Sequence, residues 1–200
     1  MKGICLLAQS PRVGSTAWCD FLMKSLPNHN YLGEIFNIYV TGKNNEETIE
    51  ILKDKKNILI KVMPYQLEYK TWLWIKENFE FITLKRISLI DIICSDALAH
   101  KNKIWNKKSF KNSKWSNVEV QHHDIKFIIS ENTVKFETMI LEIEPITNLS
   151  YMRIKSDFKK LPYKKEKLIK NYDSVPNMIH QYCESIKFDY KSYGYTVEPE

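Results

Sequence analysis

Apolar residues come in short bursts along this chain, separated by polar punctuation. Residues 3–8 (Gly-Ile-Cys-Leu-Leu-Ala) form a continuous apolar run, too short for a core helix and fitting a strand buried on both faces. Ser10, Pro11 and Gly14 supply turn chemistry, and Gly14 can take the positive φ of a loop wrapped around an anion. Ser15 and Thr16 then open a segment with Trp18, Phe21, Leu22 and Leu26 at helical spacing. The breakers Pro27-Asn28-His29-Asn30 end it, and residues 31–36 follow as a strand end carrying Gly33-Glu34.

The same alternation continues downstream. Residues 41–57 read as a polar loop and a short charged helix, and residues 57–63 as a strand stopped by Pro64. A helix over 66–78, with Leu67, Trp72 and Ile75 among its apolar positions, leads to a strand over 79–84. That strand runs into Lys85-Arg86 and then a helix from Ser88 to Trp105. The Lys-, Asn- and Trp-rich stretch 101–117 reads as a basic loop and a candidate lid, and His122-His123 as a further loop pair. A helix over 130–143 places Phe136, Met139, Ile140 and Ile143 in register. A short strand over 151–154, a solvated run (Lys164, Lys165, Lys167, Lys170) and a helix over 176–186 complete the chain. The order of elements predicts an α/β fold, a mostly parallel sheet flanked by helices.

Composition narrows this picture only in places. Two hundred residues suit one domain spanning 1–200. The net charge of +6 suggests an anionic partner. Four cysteines (Cys5, Cys19, Cys94, Cys183) without a Cys-x-x-Cys pair read as buried free thiols of a reducing compartment, and no metal site is expected. No leader or membrane span is apparent, so the expected location is cytoplasmic.

The chemistry concentrates in the first loop. A helix N-terminus carries free backbone N–H groups and the positive end of a dipole, which makes it a seat for phosphate. Arg12 adds a fixed charge there, and Ser15 and Thr16 add hydroxyl donors. The loop is not the nucleotide P-loop, because no lysine follows Gly14, and it is not the Gly-x-Gly-x-x-Gly fingerprint either. Lys85-Arg86 at the end of a strand sits where α/β folds bind ligands.

The string Ser10-Pro11-Arg12-Val13-Gly14-Ser15-Thr16 resembles the phosphosulfate-binding loop of sulfotransferases that use 3′-phosphoadenosine 5′-phosphosulfate (PAPS), commonly written PRSGST or PKSGTT. It departs from that pattern at Val13, where Ser is common. Gly33-Glu34-Ile35-Phe36 resembles the Gly-Glu-Tyr/Phe-Phe segment of the bacterial trehalose-sulfotransferase-like branch, whose Glu acts as catalytic base. Arg86 and Ser95 resemble the family's Arg and Ser that bind the cofactor's 3′-phosphate, with Ser88 and Cys94 competing for the match.

The resemblance implies a P-loop-like sulfotransferase fold and transfer of a sulfuryl group from PAPS to a hydroxyl or amine, leaving 3′-phosphoadenosine 5′-phosphate (PAP). It implies that Pro11, Arg12, Val13, Gly14, Ser15 and Thr16 hold the donor, that Arg12 and Glu34 serve catalysis, and that Arg86 and Ser95 bind the 3′-phosphate. His122 and His123 are the reserve candidates for the base. The implied partner is a small-molecule, lipid or carbohydrate acceptor; nucleic acid is not expected, and a homodimer stays open. Lys155-Ser156-Asp157-Phe158 keeps only the Asp of the family's Tyr-Glu-Asp-Leu segment, and the glycine-rich C-terminal cofactor loop of the cytosolic eukaryotic enzymes has no copy. The likeness is thus weak over 101–200. Two rival classes remain: a catalytically degenerate anion- or nucleotide-binding module, and a small-molecule kinase.

Overall fold

Strands β1 (Gly3–Ala8), β2 (Asn30–Gly33), β3 (Ile58–Val62), β4 (Phe79–Lys85) and β5 (Thr147–Ser150) align in the order β2-β3-β1-β4-β5. Every pairing between them is parallel. The structure is a computed structural model that describes residues 3–103, 115–150 and 165–199. All residues of β1 and β3 are buried, as their unbroken apolar runs require of strands covered on both faces. The expected α/β class, a parallel sheet flanked by helices, is therefore observed.

The described residues divide into two compact units. The first comprises residues 3–85 and 131–150 and holds the whole sheet. In it, α1 (Ser15–Ser25) packs over β1, β2 and β3. A single turn α2 (Ile38–Thr41) precedes α3 (Asn45–Leu52), which opens on a capping box between Asn44 and Glu47. A 3₁₀ turn at Pro64–Gln66 leads into α4 (Tyr69–Asn78), so the helix begins three residues later than its apolar pattern suggests. Cys5, Leu7, Ile60, Val62, Trp72, Phe81 and Phe136 belong to the core of this unit.

The second unit holds α5 (Leu89–Asn102), α6 (His122–Ile128), α8 (Lys165–Leu168) and α9 (Val175–Ser185) among its described residues. Ser88 caps α5 by accepting from the Asp91 N–H at 3.3 Å and donates its hydroxyl to the Glu198 carbonyl at 2.7 Å. The helix ends at Asn102 on Lys103 in a left-handed conformation, short of the expected Trp105. The continuous helix expected over 130–143 is instead a π-helical turn, Ile129–Val134, followed by α7 (Lys135–Ile140). His122 and His123 open α6 and do not lie in a loop. Most of the candidate lid and the strand expected over 151–154 lie outside the described residues.

Gly3 shows how closely the central strands approach. A Cβ there would lie 2.6 Å from the Ile58 carbonyl oxygen and 2.9 Å from the Phe79 ring. Because the first of these is backbone, Gly3→Ala is expected to lower stability by about 2–3 kcal/mol, read as a fall in the urea midpoint at unchanged slope.

Candidate functional site

The site begins where β1 ends. Gln9 continues the strand by donating its N–H to the Leu84 carbonyl at 2.9 Å, and its side chain donates to the Thr133 hydroxyl at 3.0 Å. Both side chains are fully buried, so the exit of β1 is fixed. The chain then turns through two left-handed residues, Arg12 at φ 68° and Gly14 at φ 80°. Gly14 adopts this conformation without penalty, whereas Arg12 is a non-glycine residue held in a region that costs about 1–2 kcal/mol. Such conformations gather at ligand sites, where the surrounding structure holds them.

Val13, the departure from the family pattern, is fully buried, so its side chain is turned into the core. Gly14 is the N-cap of α1 and offers no side chain, and the first intrahelical bond runs from the Trp18 N–H to the Gly14 carbonyl at 3.2 Å. The first-turn N–H groups of α1 therefore have no side-chain cap, the arrangement that suits an anion. Ser15 is buried and Thr16 exposed at that end.

Lys61, the penultimate residue of β3, is the central group that sequence reasoning missed. Its side chain is only 6% exposed. The ammonium donates to Thr16 Oγ1 at 3.3 Å and pairs with Glu34 Oε1 at 2.7 Å. Glu34 leaves the end of β2 because Gly33 adopts φ 70°, and a break in the β2–β3 register between Tyr31 and Gly33 accompanies the turn. The second carboxylate oxygen, Oε2, accepts from Asn37 Nδ2 at 2.9 Å and Gln66 Nε2 at 3.1 Å. Asn37 caps α2 with its other side-chain atom, which accepts from the Tyr39 N–H at 3.1 Å. Gln66 Oε1 in turn accepts the Met63 N–H at 3.0 Å. Burial on its own pushes the Glu34 carboxyl up, but the Lys61 ammonium and the two amides outweigh it and hold the group below its ordinary value of 4.5. Beside this pair, the Cys19 thiol and the Tyr31 hydroxyl hydrogen-bond to each other, and burial pushes both up.

Arg86 and Ser95 belong to the second unit. Arg86 is buried and its guanidinium contacts Asp91 Oδ2 at 2.8 Å. Asp91 also pairs through Oδ1 with Lys165 at 2.5 Å. Ser95 is buried one helical turn beyond Asp91, on the same face of α5. The competing Ser88 is consumed as a helix cap, and burial raises the competing Cys94 thiol to about 12. Lys165, expected to be solvated, is largely buried; burial lowers its affinity for protons, the neighbouring Arg86 lowers it further, and Asp91 acts against both. His122 and His123 are exposed in this second unit, with His123 Nε2 3.5 Å from Asp124.

Two of the missed residues left a sequence signal. Lys61 is a lone charge inside the buried run Ile58–Val62, and lysine is almost never buried unless it is paired. Gln66 follows Pro64 at the strand exit that the sequence marks as a stop. Neither signal names a partner.

The geometry defines an α/β protein with an open loop–helix junction after its central strand and a buried Lys–Glu pair beside it. No protein-family model and no curated protein matches the chain. Among solved structures, it is similar to a shikimate kinase from Bacteroides thetaiotaomicron at 9% identity and a TM-score of 0.47, over 93% of this chain and 98% of that one. Among the described residues, no group of three or more His, Cys, Asp or Glu side chains is placed to hold a metal ion, and no helix is long and apolar enough to cross a membrane.

Removing one partner of the buried pair leaves the other uncompensated. Lys61→Met is expected to cost about 2–3 kcal/mol, below the ~3–5 kcal/mol typical of fully buried pairs, because Glu34 keeps two amide donors and some solvent. Lys61→Met combined with Glu34→Gln should cost less than the sum of the single changes. The pH dependence follows from the lowered carboxyl. Glu34 contributes stability above its unfolded value near 4.5, and this is lost as pH falls through its lower folded value. Urea titrations between neutral pH and about pH 3 should therefore show wild type and Glu34→Gln converging as the pH drops.

Proposed function

We propose that the first unit binds the 5′-phosphosulfate of PAPS at the start of α1 and transfers its sulfuryl group to an acceptor hydroxyl or amine. The observation that carries this reading is Lys61, a buried ammonium that touches both Thr16 at the first turn of α1 and the candidate base Glu34. The phosphosulfate-like string from Ser10 to Thr16 and the left-handed Arg12 and Gly14 support it.

Sulfuryl transfer needs positioning and charge stabilisation more than covalent help, as phosphoryl transfer does. In the proposed step the acceptor oxygen or nitrogen attacks sulfur and forms a bond to it. The bond from sulfur to the bridging oxygen breaks, and its electron pair stays on the 5′-phosphate of PAP. Backbone N–H groups at the start of α1, Arg12 and Lys61 stabilise the charge that grows there. The acceptor proton passes to the Glu34 carboxylate. Ser15 and Thr16 supply hydroxyl donors to the phosphate. Arg86 and Ser95, in the second unit, stay proposed as phosphate contacts on the chemistry of a buried guanidinium and a buried hydroxyl; a phosphate there shares Arg86 with Asp91.

A second reading, a catalytically silent anion-binding module, draws on the engagement of both Glu34 oxygens by protein donors. Calorimetric titration separates these readings and the kinase class. PAP is expected to bind with micromolar affinity, and ADP with Mg²⁺ is not. Arg12→Ala should weaken PAP binding about tenfold or more, the scale of a charge-assisted contact of ~1.5–3 kcal/mol. Glu34→Gln should bind PAP at neutral pH at least as tightly as wild type but lose about a hundred- to ten-thousandfold in turnover of a sulfated product. Binding of ADP with Mg²⁺ in place of PAP would move the protein to the kinase class. Binding of PAP with no turnover in a broad acceptor screen would favour the silent module.

A further inference from the structure

We infer that Lys61 couples donor occupancy to Glu34: an anion seated at the first turn of α1 draws the Lys61 ammonium toward Thr16, and Glu34 Oε1 becomes free to accept a proton only then. The inference rests on the sulfuryl-transfer reading and assigns that site a built-in order, donor before acceptor deprotonation.

Three features of the geometry carry it. First, Lys61 stands between the two seats, 2.7 Å from Glu34 Oε1 and 3.3 Å from Thr16 Oγ1, so little movement is needed to favour either. Second, the side chain is 6% exposed, so water does little to screen its charge and the two anions compete for it directly. Third, the carboxylate is anchored independently of Lys61. Asn37 and Gln66 hold Oε2, and each is tied to backbone, Asn37 through the Tyr39 N–H and Gln66 through the Met63 N–H. Weakening the Lys61 contact therefore frees Oε1 and leaves the group in place. Without a donor, the ion pair keeps the carboxylate a weak base. With one, the loss of the ammonium's undivided attention and the nearby negative charge both strengthen it.

Other titratable groups near the pair are Cys19 and Asp20 on α1, Tyr31 on β2, and Tyr65, whose hydroxyl accepts from Asn37 at 3.4 Å and Gln66 at 3.3 Å. Burial pushes the Cys19 thiol and the Tyr31 hydroxyl up, so neither exchanges protons in the acid range. Of the two carboxylates, Glu34 is the one in contact with Lys61, so its proton affinity responds when the donor draws the ammonium away.

Coupling is reciprocal, so protonating Glu34 must strengthen donor binding by the factor by which the donor strengthens the base. The test is calorimetric titration of PAP at about pH 5, in two buffers of different ionisation enthalpy, on wild type, Glu34→Gln and Lys61→Met. Protons exchanged by the PAP phosphates are common to all three. Wild type is expected to take up an additional fraction of a proton that Glu34→Gln does not. Its PAP affinity should also rise several-fold more than the variant's between about pH 7 and pH 5. In Lys61→Met the additional uptake should fall well below the wild-type amount. Equal uptake in wild type and Glu34→Gln would overturn the coupling while leaving PAP binding intact, and this comparison stands even if Lys61→Met does not fold. Wild-type uptake in a folded Lys61→Met would overturn the role of Lys61. Failure of wild type to bind PAP at all would overturn the sulfuryl-transfer reading and the inference with it.

Discussion

A buried ammonium is costly unless something answers its charge, and Lys61 is placed where apolar packing would otherwise be complete. Its strand runs between β1 and β2, with every residue buried. Desolvation of such a charge amounts to several kcal/mol, recovered only by well-placed anions and dipoles. Glu34 and Thr16 supply that answer directly, and Asn37 and Gln66 hold the Glu34 carboxylate in place. The conformations around the pair follow from this need. The left-handed Gly33 turns Glu34 back over the sheet edge, the cap at Asn37 aims an amide at Oε2, and the 3₁₀ turn after Pro64 brings Gln66 to the same oxygen.

The loop between β1 and α1 is built on a complementary principle. Gln9 and Val13 are buried anchors on either side of Arg12, so the segment is fixed from below while its backbone stays available above. A helix start with no side-chain cap and a neighbouring lysine concentrates positive potential at one spot. Anion binding at that spot uses groups already in place, which limits the ordering cost of association.

Strands β1, β3 and β4 were legible because parallel strands buried on both faces must be apolar throughout, and residues 3–8, 57–63 and 79–84 are nearly so, whereas the polar, exposed edge strand β5 gave no such signal. The loop was legible because Pro11, Gly14 and the following Ser15-Thr16 are local signals. What stayed hidden was tertiary. The π-helical turn at Ile129–Val134 keeps a helical apolar pattern on both sides and so leaves no trace in periodicity. His122 and His123 follow a polar stretch, but the capping box between Gln121 and Asp124 opens a helix there. Lys165 looks like one of several solvated lysines until Asp91, distant in sequence, is brought against it. Lys61 broke an apolar run visibly, yet its meaning depended on Glu34 reaching it through the left-handed Gly33.

The most direct test of the account is a crystal structure of the protein with PAP. The account predicts the 5′-phosphate at the start of α1, within about 2.7–3.2 Å of the backbone N–H groups of Ser15 or Thr16 and of Lys61 Nζ, with the Lys61–Glu34 contact lengthened. A nucleotide bound elsewhere, with the loop empty and Lys61 still closed on Glu34, would contradict it.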